Sequence, residues 1–218
     1  MSIQLEVFVE QAEYLDKQNF TDWSIEHPQE KAIIKKLTSP GAKLITGPRG
    51  CGKTTLLLKA YEESKNSYTL PIYVNFKTSL KLEPLYKKAA NAAFWFNQWL
   101  INKVLEGLHE SLAQITPKND TTKERKLIKQ TIKTLEAGLI EKIQEPQIQD
   151  IETLESTINN ALSESNRTRC VLLLDDAAHA FSAEQQKDFF DFFRKIKSRT
   201  ISPKAAIYPG VTSFSSSF

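Results

Sequence analysis

Uninterrupted apolar runs and apolar residues at helical spacing alternate along this chain. Leu44, Ile45 and Thr46 read as a short buried strand, and Cys170-Val171-Leu172-Leu173-Leu174 as a longer one. Tyr68 to Phe76, YTLPIYVNF, reads as a further strand centred on Ile72, Tyr73 and Val74, with Pro71 marking its start. Near the C-terminus, Ser198 to Pro203 reads as a loop and Lys204 to Val211 as a last strand, bent at Pro209-Gly210.

The helical pattern fills the rest. Pro28 opens a helix over Gln29 to Leu37, with Ile33, Ile34 and Leu37 on one face. Leu85 to Ile115 carries Phe94, Trp95, Phe96, Trp99, Leu100, Val104, Leu108 and Leu112. Thr121 to Gln144 places Ile128, Ile132, Leu135, Leu139 and Ile143 at helical spacing, and Pro146 ends it. Asp150 to Ser163 adds another amphipathic helix. Ser182 caps one that runs through Phe189, Phe190, Phe192 and Phe193 to Lys197. Strands alternating with helices predict an α/β fold around a parallel sheet. The helices between the second strand and Val171 exceed what a single crossover needs. The predicted organisation is therefore a helical lead-in at 1–40, a core at 41–77 and 166–218, and a helical insertion at 78–165.

Chemistry enters between the first strand and its helix. Gly47-Pro48-Arg49-Gly50-Cys51-Gly52-Lys53-Thr54 fits G-x-x-x-x-G-K-[ST], with Thr55 following, between a strand and a helix as the P-loop requires. Glycines let backbone N–H groups approach phosphate oxygens with no Cβ in the way. The new helix turns its free N–H groups and positive dipole end toward the anion. In such a loop Lys53 reaches the β- and γ-phosphates and the Thr54 hydroxyl sits on Mg²⁺.

These residues, with the apolar run ending in Asp175-Asp176, make the chain resemble the P-loop NTPases. Two signatures in this order are similar to the additional-strand class, and VLLLDDAAHAF resembles the AAA+ superfamily, the STAND ATPases and origin-recognition initiators. The resemblance implies a three-layer fold in which Lys204 to Val211 lies between the P-loop strand and the Asp175 strand. It implies that Asp175 holds Mg²⁺ through water and that Asp176 takes the place of the water-activating acid. The usual acid pair is Asp-Glu, and Asp176 is one methylene shorter, which favours ATP binding over brisk hydrolysis. By the same resemblance Thr212 and Ser213 lie near the sensor of the γ-phosphate. Trp23, Ile25 and His27 become adenine contacts, and Arg194 or Arg199 becomes the arginine finger offered to a neighbouring protomer. The sequence stops at Phe218, before the fifth strand and helical lid of that class. This implies a truncated stretch, a fragment of a larger ATPase or a reduced member.

Composition narrows the partners. A net charge of +3 and pI near 8.7 are too mildly basic to argue nucleic-acid binding, and Lys118, Lys123, Lys126, Lys129 and Lys133 read as a solvated helix face. Cys51 and Cys170, the two cysteines, read as free thiols in a reducing cytoplasm. No stretch reaches membrane-spanning length, and the acidic, alternating N-terminus is not a signal peptide. Asn102-Lys103-Val104-Leu105 lacks the Asp of a guanine reader, which places ATP above GTP. The expectation is a cytoplasmic Mg-ATP-binding switch or assembly module that self-associates or meets a partner protein through its helical insertion. A STAND-type sensor with little turnover and a DNA-associated loader are the alternatives.

Overall fold

The computed structural model describes residues 28–77, 82, 85, 89–116, 122–144, 147–177 and 181–208. Trp23, Ile25, His27, Lys118, Thr212 and Ser213 lie outside these residues.

In chain order the elements are α1 (Glu30–Thr38), β1 (Lys43–Thr46), α2 (Lys53–Lys65), β2 (Thr69–Asn75), α3 (Ala92–Ile115), α4 (Thr122–Glu136), α5 (Ile151–Glu164), β3 (Arg169–Asp175), α6 (Ala183–Lys195) and β4 (Ile201–Ile207). The strands form a parallel four-stranded sheet in the order β1-β4-β3-β2. Strand period sorts the core into two faces. Val171, Leu173 and Ala206 pack with Ile34, Leu37, Leu57 and Ala60 of α1 and α2. Cys170, Leu172, Leu174, Ala205 and Ile207 pack with the long apolar faces of α3, α5 and α6. The result is the expected three-layer α/β fold, with β3 buried on both sides as its uninterrupted apolar run requires.

Helix boundaries follow local chemistry. Asn91 accepts from Phe94 N–H and starts α3, later than the Leu85 start read from the apolar spacing. Asp150 caps α5 through Thr153 N–H, and Ser182 and Gln185 form a reciprocal capping box at α6. The periodic stretch expected to continue to Gln144 breaks after Glu136. Gly138 adopts φ 66° there, and a short 3₁₀ turn follows at Ile140–Lys142.

Two prolines sit inside strands, for one physical reason. Pro71 lies within β2 and Pro203 within β4, rather than at a strand start and in a loop. Thr168 N–H donates to Tyr68 O, and Phe76 N–H donates to Asp175 O. Even-numbered residues of β2 therefore face β3, and the missing N–H of Pro71 points off the sheet edge, where it costs no ladder bond. On β4, Thr200 O accepts from Cys170 N–H, so Pro203 faces the β1 side. The β1 ladder begins only at the Lys43–Lys204 pair, one residue further on.

The open edge of β2 is capped by side chains. Arg167 donates to Thr69 O, as well as to Ser64 O and Lys65 O at the end of α2. The Ser111 hydroxyl of α3 donates to Pro71 O. The next α3 residue facing that edge is Gly107, beside Tyr73 O. An edge covered in this way offers no template for another chain.

Beneath the entry to β1 lies a buried lysine. Lys204 is fully buried, and its ammonium donates to Ser39 O and Gly41 O; Ser202 Oγ accepts from Gly41 N–H. Burial, reinforced by Lys43 and Arg169, pulls the Lys204 pKa down to about 7 from an ordinary 10.5. Between those values the unfolded chain holds a proton that the folded chain does not, so folding is favoured as pH rises. Chemical denaturation from pH 7 to 10 should show stability rising in wild type relative to Lys204→Gln. Parallel pH profiles for the two proteins would remove Lys204 as the cause.

Candidate functional site

All four strands run the same way, so β1, β3 and β4 deliver their last residues to one edge of the sheet, the usual ligand edge of an open α/β fold. At that edge β1 leads into Gly47–Gly52 and then α2. Gly50 and Gly52 adopt φ 79° and 84°, a region that side chains rarely tolerate. Gly52 is the N-cap residue of α2 and uses no side chain to cap it, which leaves the first-turn N–H groups for an anion. At Gly47 a Cβ would lie 2.5 Å from Cys51 Sγ, so a side chain there would force the Cys51 thiol to turn away.

Lys53, the first residue of α2, is only 5% exposed. Its ammonium donates to Gly47 O at 2.7 Å and Pro48 O at 2.8 Å, which folds the side chain back along the loop. The same nitrogen lies 3.8 Å from the ring centroid of Tyr208, a cation–π contact. One ammonium is thus fixed at the mouth of the loop, within which Cys51 N–H donates to Pro48 O at 3.4 Å.

The acids sit opposite. Asp175 ends β3 at 1% exposure, and its Oδ2 accepts from the Tyr73 hydroxyl at 2.8 Å while its Oδ1 accepts from Asp176 N–H at 2.9 Å. Burial pushes the Asp175 pKa up, and hydrogen bonds from the Thr54 and Tyr73 hydroxyls oppose that shift. A cation arriving here would favour the ionised form. Asp176 adopts φ 56°, the left-handed region, and its Oδ1 accepts from the Tyr208 hydroxyl at 3.1 Å. Burial and the Asp176 carboxylate raise the Tyr208 pKa to about 12, so the phenol stays protonated and remains a donor.

The structure therefore brings Lys53, Thr54, Asp175 and Asp176 together from segments far apart in sequence. Pro48, Arg49, Gly50 and Cys51 line the exposed part of the loop, and Thr55 continues α2. Among the described residues no group of three or more His, Cys, Asp or Glu gathers as a self-sufficient metal site. A hard divalent cation would fit the Thr54 hydroxyl beside the Asp175 carboxylate if phosphate oxygens and water completed its shell. Such an ion would supply charge neutralisation on the phosphates.

Tyr73 and Tyr208 escaped the sequence reading. Tyr73 read as a mid-strand apolar residue, and its hydroxyl reaches Asp175 only through the β2–β3 register, which pairs Tyr73 with Leu173. Tyr208 follows β4 directly and touches both Lys53 and Asp176 because β4 lies between β1 and β3.

Other expected residues lie elsewhere. Arg194 ends α6, ion-paired to Asp191 on an exposed face, and Arg199 is exposed in the turn before β4. Since α6 runs back from the end of β3 to the start of β4, both arginines are at the opposite end of the sheet from the P-loop of their own chain. The lysines at 123, 126, 129 and 133 are exposed on α4, with Lys129 4.0 Å from Glu110. No helix among the described residues is long and apolar enough to cross a membrane.

A family model described as an AAA domain matches residues 36–203. No curated protein and no solved structure matches the chain.

Proposed function

Because this chain belongs to the AAA domain family and is a nucleotide-binding P-loop ATPase domain, we propose that it is a Mg-ATP-dependent switch with slow turnover. The observation that carries this reading is the pairing of two sites across the loop. Lys53 stands at the mouth of the loop, and the Thr54 hydroxyl faces the buried carboxylate of Asp175. In this reading the Gly47–Thr55 backbone and Lys53 bind the β- and γ-phosphates. Thr54 and Asp175 hold Mg²⁺, Asp175 through water, and Asp176 accepts the proton of the attacking water. Residues 78–165 form the insertion through which a second copy or a partner protein is met. The core is formed by 41–77 and 166–218, with 1–40 leading in.

Slow turnover follows from the state of Asp176. It carries the short acid, on a left-handed backbone, with one oxygen engaged by Tyr208. Positioning dominates phosphoryl transfer, so a base held back from the water lowers kcat more than it lowers affinity. This same observation favours a STAND-like sensor, in which bound nucleotide rather than flux is the signal, as the second reading.

Steady-state phosphate release tests both. Asp176→Asn should leave Mg-ATP affinity nearly unchanged and remove what turnover there is. A variant that hydrolyses as fast as wild type would take Asp176 out of the mechanism. Arg194 and Arg199 can serve only a neighbouring chain, so specific activity should rise with protein concentration. Arg199→Ala or Arg194→Ala should lower that activity without weakening ATP binding. An arginine finger is worth on the order of 10³–10⁵ in turnover. Activity independent of concentration in a demonstrated monomer would rule the finger out.

A further inference from the structure

Lys53 and Asp176 belong to opposite halves of the site, yet one side chain touches both. Tyr208 follows β4, the strand between the P-loop strand β1 and the acid strand β3. Its ring centroid is 3.8 Å from Lys53 Nζ, and its hydroxyl donates to Asp176 Oδ1 at 3.1 Å.

The donors of Lys53 are all engaged. A lysine ammonium has three N–H bonds. Gly47 O at 2.7 Å and Pro48 O at 2.8 Å take two, and the third is left to the Tyr208 ring and to Cys51 Sγ at 3.7 Å. At 5% exposure these neighbours stand in for the hydration of the charge. A phosphate oxygen can be met only after some of them are released. Asp176 is restrained in the same arrangement. Its backbone is left-handed at φ 56°, and the phenol fixes the direction of its carboxylate.

We propose that Tyr208 is a positioning residue that latches the resting site: its ring keeps Lys53 folded onto the loop until Mg-ATP arrives, and its hydroxyl holds Asp176 back from the attacking water. This rests on the nucleotide reading and assigns the two contacts to two stages. The ring contact is given up on binding, so it weakens the apparent affinity, as any resting state that must be left before a ligand can bind does. The hydroxyl contact is given up at turnover, so it lowers kcat.

Two substitutions separate the stages. Tyr208→Phe keeps the ring and removes the hydroxyl. It should raise kcat for phosphate release at least about threefold and leave the Mg-ATP Kd, from calorimetric titration, unchanged. Tyr208→Leu removes both contacts. It should raise kcat as well and tighten Mg-ATP binding at least about fivefold. A side chain that only packed would give weaker binding and lower kcat in both variants. A further readout needs no turnover. The Lys53 ε-methylene resonance, identified by its loss in Lys53→Ala, should lie upfield through the ring current of Tyr208 and move downfield with Mg-ATP. A wild-type chain that binds no Mg-ATP would overturn the nucleotide reading and the latch with it. If wild type binds, three results would each overturn the latch alone: Tyr208→Leu binding no tighter than wild type, Tyr208→Phe turning over no faster, or a Lys53 resonance that stays upfield at saturating Mg-ATP.

Discussion

Lys53→Ala should abolish the rise in melting temperature that Mg-ATP gives the wild-type chain. A ligand that binds only the folded state stabilises it by about 2.7 kcal/mol at a hundredfold excess over Kd. For a chain of this size that is roughly 5–10 °C. Lys53 places its charge where the phosphates would arrive, fixed by the carbonyls of Gly47 and Pro48, and no other described side chain donates to those carbonyls. Removing the ammonium takes away the main cation of the loop. It leaves α2 intact, because alanine is the best helix former and Lys53 begins that helix. The nucleotide-free melting temperatures should therefore stay close while the ATP-induced shift disappears. Equal shifts in the two proteins would remove the P-loop assignment.

The second large effect is one of packing, and its sign separates local from tertiary control. Gly107 lies in the middle of α3, where glycine costs about 1 kcal/mol against alanine. Helix propensity alone predicts that Gly107→Ala stabilises the protein. The structure predicts the reverse. A Cβ there would lie 2.7 Å from Tyr73 O and 3.1 Å from Ile72 Cγ2, both in a fully packed sheet edge. The backbone oxygen cannot rotate away, so α3 must lift from β2, at a cost of about 1–3 kcal/mol for overpacking. That movement would also strain the Ser111 bond to Pro71 O one turn along. Urea denaturation of Gly107→Ala should show a lower midpoint than wild type. An equal or higher midpoint would mean that α3 does not rest on the edge of β2 as described.

The covered edge has a functional consequence. Tyr73 turns its carbonyl toward Gly107 and its hydroxyl toward Asp175. Helix α3 is thus packed against the strand that steadies the acid pair. The buried ring cluster of Phe76, Phe96, Trp99, Phe181 and Phe189 joins the end of β2, α3 and the start of α6 in one body, with centroids 5.2–6.3 Å apart.

What the sequence determined by itself is what a single segment can encode. The P-loop was legible because its glycines, its lysine and the strand and helix that flank it are contiguous, so local backbone geometry dictates the turn. The β3 run was legible because a strand buried on both faces must be apolar at every position. The order of elements, the cap at Ser182, and the α/β class follow from the same local rules. Tertiary structure decided the rest, because those features depend on partners distant in the chain. Pro203 and Lys204 read as a loop and a polar strand start. They enter the sheet interior because the β1 ladder begins one residue past the proline and because turn carbonyls at Ser39 and Gly41 receive the lysine. Trp99 and Phe94 have the same helical preference, yet one is fully buried and the other 38% exposed, because only one faces the sheet. Tyr73 meets Asp175 across 102 positions of sequence, and Tyr208 meets Asp176 across 32. No local pattern marks either tyrosine, since what brings each hydroxyl to its carboxylate is strand order and register, fixed by the packing of two layers of helices on the sheet.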